Sequence, residues 1–258
     1  MSPHVPVPLD YERFRGALFG SVVGDMLGKS VEFLSPQQIE DRYGRITDIM
    51  GGGIFDWKPD EWTDDTDMLL MTAQSLIDQR RFDPDDMAKR YVEWMEQGPK
   101  DIGGCTKRAL TYIKNGQHWQ DASVSALRDD FDRGAGNGSL MRTAPIGLYN
   151  YHNDYMMKQQ SIANSMITHA DNRCAASCYA FNHMLGQLVQ GEEMSAEQAF
   201  AFGQQYVPDL FAHAPTSSGY VVDTLANAFD QLDASSFEQG LIDVVNKGYD
   251  ADTNAAVT

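Results

Sequence analysis

Apolar positions along most of this chain recur every three or four residues. Phe14, Ala17, Leu18, Ser21, Val22 and Asp25 keep the i, i+3, i+4, i+7 spacing of a helix facing a core, and they predict a helix over Tyr11 to Leu27. Gly16, Gly20 and Gly24 recur at every fourth position of it, with Gly28 just beyond. Each interior glycine costs up to about 1 kcal/mol against Ala, so a neighbouring backbone is expected to lie close against that stripe. Thr63 is placed to cap a helix from about Asp64 to Arg80, and Asp83-Pro84 opens another that Gly98-Pro99 stops. Met87, Tyr91, Trp94 and Met95 form the buried face of that second helix. A shorter one runs from Thr106 to Lys114 and ends at Asn115-Gly116. Asp154 is expected to cap a helix to about Ile167, and Cys174, Cys178, Phe181, Leu185 and Leu188 mark the inner face of the next, which Gly191 closes. Ser195 with Gln198, and Ser235 with Glu238, have capping-box spacing. Arg45 to Met50 alone has extended character.

The pattern is all-α: a single compact multi-helix domain over residues 11–258 behind an N-terminal tail of residues 1–10, with the active site in loops between helices. Three loops stand out, Gly51 to Thr63, Asp130 to Arg142 and Lys247 to Thr253. Composition narrows the class. The chain has 258 residues, 42% apolar and 22% charged, which excludes both a disordered chain and a membrane-spanning one. Its longest apolar stretch, Ala17 to Leu27, is interrupted by Gly20, Gly24 and Asp25, and no basic-then-apolar leader opens the sequence. Three cysteines, an odd number, point to a reducing, cytoplasmic setting. Twenty Lys and Arg against 37 Asp and Glu leave a formal charge of −17, which argues against nucleic acid as a partner.

The same acidic surplus supplies the first candidate chemistry. Thr63-Asp64-Asp65-Thr66-Asp67 stands at a helix start, where carboxylates ordinarily serve the cap and the helix dipole. Asp250-Ala251-Asp252-Thr253 repeats those residue types near the other end of the chain. Should the two meet, Asp64, Asp65, Asp250 and Asp252 bring four negative charges together, which requires protonation or cations. Two divalent ions balance four carboxylates. Hydroxyls from Thr63 and Thr253 keep the donor set all-oxygen, which selects Mg²⁺, Mn²⁺ or Ca²⁺ over a thiolate or imidazole zinc site. A third segment, Gly134 to Ser139 followed by Leu140-Met141-Arg142, is dense enough in glycine for its backbone to approach a phosphate, or is simply a surface turn. Asp25, on an apolar face, is expected to hold a cap or a loop N–H. His169 stands at a helix boundary, as a C-terminal cap or a ligand contact, and Cys174 and Cys178 are expected to be buried thiols.

Taken in order along the chain, these motifs resemble the ADP-ribosylglycohydrolase family, most closely its bacterial dinitrogenase reductase-activating branch. The resemblance is carried by Gly24-Asp25-Met26-Leu27-Gly28 with Val31-Glu32-Phe33, Gly51-Gly52-Gly53, Trp62 to Asp67, Asp101-Ile102-Gly103, Gly136-Asn137-Gly138 with Met141-Arg142, Thr168-His169, Gly219 to Thr224 and Gly248 to Thr253. It implies an all-helical protein that holds two divalent metals, Mn²⁺ or Mg²⁺, and releases ADP-ribose from a modified protein. By that resemblance Thr63, Asp64, Asp65, Asp250, Asp252 and Thr253 are the metal ligands. Gly136, Asn137 and Gly138 cradle the diphosphate and its nearby ribose, with Met141 beside them. His169 and Tyr220 contact the far ribose and adenine. Glu32 is a flap carboxylate near the scissile bond, and Asp101 lies close to the reacting ribose.

The activity expected is therefore metal-dependent hydrolysis of an ADP-ribosyl bond, N-glycosidic to arginine, with Asp64 or Glu32 handling the proton. A monomer is expected. Two other classes stay open: an ADP-ribose-binding module without turnover, and a divalent-metal nucleotide phosphohydrolase. Two departures from the family pattern stand out. Tyr249 replaces a glycine, and the helix begun at Asp252 stops at Thr258. A stub that short is marginal as a helix by itself, so the sequence leads us to expect weak support for the second acidic motif.

Overall fold

The glycine stripe of the first helix, α1 (Tyr11–Gly28), finds its neighbour at the far end of the chain, in α13 (Ala251–Val257). A Cβ on Gly24 would overlap the carbonyl of Ala255, and one on Gly28 would sit 2.5 Å from the backbone of Ala251. Backbone lies on backbone there, so the expected close approach holds for these two positions. Gly20 faces only the Phe237 ring and Gly16 faces open space. The seven residues of α13 are all buried. What so short a helix lacks in hydrogen bonds of its own it takes from packing against α1, which brings the second acidic motif into the interior.

The computed structural model describes residues 10–129, 134–211 and 217–258. Between α1 and α13 run α2 (Pro36–Tyr43), α3 (Asp64–Gln79), α4 (Pro84–Glu96), α5 (Gly104–Lys114), α6 (Trp119–Asp129), α7 (Ala144–Tyr149), α8 (Asp154–Ser165), α9 (Asn172–Val189), α10 (Ala196–Gly203), α11 (Val221–Asp230) and α12 (Phe237–Val245). Among the described residues no strand forms, and two isolated bridges, Gly52 with Trp57 and Gly136 with Tyr220, are the β-type pairings. The all-α expectation holds. Arg45 to Met50 is not a strand: Ile46 is buried, and both its backbone groups pair with the side-chain amide of Asn246 at 2.9 Å. No described helix is long and apolar enough to cross a membrane.

Two helix starts differ from the sequence expectation by one residue. Asn153 caps α8 and Asp154 is its first helical residue. Ser236, accepting from the Gln239 N–H, caps α12 in place of Ser235. The capping box at Ser195 and Gln198 forms as expected, and a second one, Ser35 with Gln38, opens α2 with Pro36 at its first position. Residues 1–9 of the expected tail and residues 130–133 of the expected Asp130 to Arg142 loop lie outside the described residues.

The main apolar core joins Met68, Met87, Tyr91, Leu110, Ile146, Cys178 and Phe229 across α3, α4, α5, α7, α9 and α11. A smaller one, with Leu27, Val31, Ile39, Val244 and Ala255, locks α1, α2, α12 and α13 together. The starts of α3 and α13 meet where these two blocks adjoin.

Candidate active site

Asp25 of α1 fixes the first turn of α3. Its buried carboxylate accepts from the N–H of Thr63 at 3.1 Å, the N–H of Thr66 at 3.2 Å and the Thr66 hydroxyl at 2.5 Å. Orphan donors of a helix start are thereby satisfied, which is the structural role the sequence suggested. Thr63 caps the same turn by accepting from the Asp65 N–H. The two acidic motifs, 188 residues apart at Asp65 and Thr253, converge on one oxygen: Asp65 Oδ2 accepts from the Thr63 hydroxyl at 3.1 Å and from the Thr253 hydroxyl at 3.2 Å. Carboxylate oxygens of Glu32, Asp250 and Asp252 lie within 4.8 Å of one another beside them.

This cluster is electrostatically incomplete. Glu32 Oε2, Asp65 Oδ1 and Asp252 Oδ1 are buried without a hydrogen-bond partner. Burial first, and then neighbouring carboxylates, raise Asp64, Asp65 and Asp252 well above the usual carboxylate range. Glu32 is pushed up to about 12 by its own burial and then by Asp252, Asp101, Asp250 and Asp64. Asp101, on the loop before α5, rises to about 6, again through burial. Like charges this close, with lone pairs left over, fit a site completed by cations. The donors are all oxygen, so the cations that suit it are hard divalent ones.

A cavity of about 830 Å³ opens from this cluster, large enough for a nucleotide-sized ligand. Glu32, Asp64, Asp101, Asp250, Asp252 and Thr253 line its acidic end. Gly136, Asn137, Gly138, Met141 and His169 line the rest, together with Thr106 and Arg108, which carried no sequence signal. Thr63 and Asp65 stand behind the wall, as does Tyr220, whose backbone bridges Gly136 and whose hydroxyl accepts from Arg173 at 3.3 Å.

The glycine loop is built against a rigid backing. A Cβ on Gly138 would come within 3.0 Å of His169 Cε1 and 3.1 Å of Thr106 Oγ1, so any larger residue there presses on the groups that back the loop. His169, 2% exposed, shares a 2.8 Å hydrogen bond between Nδ1 and the Thr168 hydroxyl. Burial, with Arg142 and Arg108 behind it, lowers His169 to about 3, so it is a neutral ring. Arg142 is itself fully buried, donating to the carbonyls of Gly138 and Asn164 and lying 4.7 Å over the Tyr91 ring. Asn137 ties the two ends together. Its side-chain amide donates to Thr224 Oγ1 at 2.9 Å and to Asp250 Oδ2 at 2.5 Å, and its N–H to the Gly219 carbonyl. Cys174 and Cys178 are buried thiols behind the same loop, donating to the Gly136 carbonyl and the Ser139 hydroxyl.

Against known proteins, the ADP-ribosylglycohydrolase profile matches residues 6–258. The ADP-ribosyl-(dinitrogen reductase) glycohydrolase of Rhodospirillum rubrum is 31% identical over 97% of this chain and 84% of its own length. The ADP-ribosylarginine hydrolase Tri1 of Serratia proteamaculans is 31% identical over 98% of this chain and 71% of its own. A solved structure described as an ADP-ribosylglycohydrolase-related protein complex superposes with a TM-score of 0.79 at 30% identity, covering 97% of this chain and 86% of that one.

Proposed function

The chain belongs to the ADP-ribosylglycohydrolase family, and from that premise we propose that it is a divalent-metal-dependent hydrolase that removes ADP-ribose from modified protein side chains, with the N-glycosidic bond to arginine as its target. The observation that carries this reading is one cavity with two unlike ends: a buried carboxylate cluster with unpartnered oxygens, and a glycine loop backed by a neutral histidine. The second end suits the ADP-ribose body, since its backbone can approach closely. The first suits the reacting ribose and the bond to be cut. The Rhodospirillum relative, a glycohydrolase of ADP-ribosylated dinitrogen reductase, and the Serratia relative, an ADP-ribosylarginine hydrolase, support the reaction and, for the latter, arginine.

In this reading Thr63, Asp64, Asp65, Asp250, Asp252 and Thr253 hold two divalent ions, Mn²⁺ or Mg²⁺. Their unpartnered oxygens and hard donor set fit such ions, which when bound supply Lewis-acid polarisation of the ribose hydroxyls and of a water. The chain's own residues do the remaining work. Asp25 and the Thr63 cap keep the first acidic motif in register, and Asn137 steers Asp250 toward the cavity. Asp101, titrating near neutrality, is suited to take or give a proton at the reacting ribose. Glu32, held protonated first by its burial and then by the carboxylates around it, is placed to handle a proton at the scissile bond. Positive charge developing on the ribose is stabilised by the carboxylates around it.

The test is to incubate the chain with Mn²⁺ and an arginine-ADP-ribosylated protein and to identify the released nucleotide by mass. Free ADP-ribose is expected. Intact bound ligand with no release, or AMP and phosphate instead, would overturn the hydrolase reading.

A further inference from the structure

Phe33 and Tyr249 both stand in the left-handed region, at φ of 64° and 57°. For bulky aromatic residues this is a strained backbone state that persists only where the surroundings impose it. Here the two residues hold each other: the Phe33 N–H donates to the Tyr249 carbonyl at 2.5 Å, and the Tyr249 N–H to the carbonyl of Leu34 at 2.6 Å. Burial does not compensate the strain, because the rings are 57% and 41% exposed. Both line the main cavity. Phe33 follows Glu32 and Tyr249 precedes Asp250, so the two rings stand at the acidic end.

The aromatic wall continues outward. Phe33 meets Phe55 edge-on at 6.4 Å between centroids, and Phe55 meets Trp57 at 5.8 Å. Trp57 lines a second opening of about 300 Å³ that shares Asp64 and Asp101 with the main cavity, and its buried indole Nε1 has no partner. A cation already rests on this wall: the Lys100 ammonium lies 4.9 Å over the Trp57 ring and pairs with Glu61 at 2.5 Å. Aromatic faces on one side and carboxylates on the other make an environment for a planar, delocalised cation, the guanidinium above all.

Resting on the hydrolase reading above, we propose that Phe33 and Tyr249 are specificity-determining residues of this chain that receive the guanidinium of the modified arginine, while ADP-ribose itself occupies the glycine-loop end. The strained backbone places both rings at one mouth, and Asp101, a carboxylate of that mouth outside the set assigned to the metals, supplies the charge complementarity.

The test compares ADP-ribosylarginine with free ADP-ribose on the full chain with Mn²⁺. Phe33→Gly and Tyr249→Gly remove the rings with a residue that tolerates positive φ, and Tyr249→Phe keeps the ring. In each glycine variant the KM for the conjugate should rise about five-fold or more, while the inhibition constant of ADP-ribose moves less than about two-fold. Tyr249→Phe should match the parent. Equal rises in both constants would put the rings on ADP-ribose and overturn the assignment, as would glycine variants with unchanged constants. A parent chain that releases no ADP-ribose is a failure of the hydrolase reading alone. Calorimetric binding of the intact conjugate against ADP-ribose then decides the assignment by the same differential, and equal loss or no loss in the glycine variants overturns it.

Discussion

The two ends of the cavity are both buried and polar, yet they are built on opposite principles. Around His169 the groups interlock: Ser165 donates to Ser139 at 2.9 Å, Thr168 engages the His169 ring, and Arg142 is held by two carbonyls and the Tyr91 face. Leftover polar atoms occur there too, on Arg142 Nε and Asn164 Oδ1, but they do not repeat one charge. At the acidic end three of the leftover atoms, on Glu32, Asp65 and Asp252, are carboxylate oxygens within one acidic cluster. One end is a finished mould. The other is a strained electrostatic arrangement that a bound cation would relieve, and it exists because the two helix starts are clamped by packing that the cluster's carboxylates do not supply.

The largest expected effect breaks this contrast at Asp252. Asp252→Asn removes one buried charge while keeping the shape. Turnover and divalent-metal affinity should fall about 100-fold, while the chelator-treated chain should become more stable by about 1–3 kcal/mol, because the cost of burying a carboxylate, and then the repulsion of its neighbours, is removed. Calorimetry and chemical denaturation read the two effects. Loss of stability without metal would mean that the cluster is not frustrated.

The next effect is a pH slope. Glu32 at about 12 and Asp101 at about 6 both lie above their unfolded values of 4.5 and 3.8. From about pH 4 upward the folded chain therefore holds more protons than the unfolded one, so stability falls as pH rises, through about 6 for Asp101 and onward for Glu32. In chelator the melting temperature should drop between pH 6.5 and 8. With Mn²⁺ the slope should flatten or reverse, since metal binding releases those protons. Parallel curves with and without metal would remove the link between the carboxylates and the cation.

At the other end Gly138→Val should act through bulk. A Cβ there would already press on His169 and Thr106, so overpacking should cost about 1–3 kcal/mol and weaken ADP-ribose binding about ten-fold, with metal affinity nearly unchanged. Parallel loss of both affinities would make the loop a structural support for the acidic end.

How much of this was legible beforehand differs between the same two ends. The recurrence of Asp and Thr in Asp64-Asp65-Thr66 and in Asp250-Ala251-Asp252-Thr253 made convergence an expectation, because four like charges in one place require protonation or cations. The glycine period of α1 likewise announced a close helix partner. What spacing does not encode is which groups long-range packing sets side by side. Thus Glu32, Asp250 and Asp252 form the tightest triad, and Asn137 is a strut to Asp250 as well as a loop residue. Helix α7, six residues long, with five buried, shows no amphipathic period to read. His169 was legible as a boundary residue and, by the resemblance, as a ligand contact, but its neutrality was not, because that comes from burial and from Arg142 and Arg108, all consequences of the fold.

That neutrality carries the smallest expected effect, and its sign is opposite to that of the acidic end. His169 titrates near 6.5 when unfolded and is lowered to about 3 in the folded chain. Between those values the unfolded chain binds the extra proton, so this group's contribution to stability is lost as pH falls below 6.5, by about 1.4 kcal/mol per unit. The carboxylates oppose it over pH 4 to 6, which hides it in the total. His169→Gln isolates it, since Gln keeps a hydrogen-bonding group beside Thr168 and does not titrate. The stability difference between parent and variant, measured by urea unfolding, should shift against the parent by about 1.4 kcal/mol as pH drops from 6 to 5. A difference that stays constant would mean that the ring accepts a proton in place, through Asp171, the one nearby group acting in that direction. The histidine end would then share the charge-strained character of its neighbour.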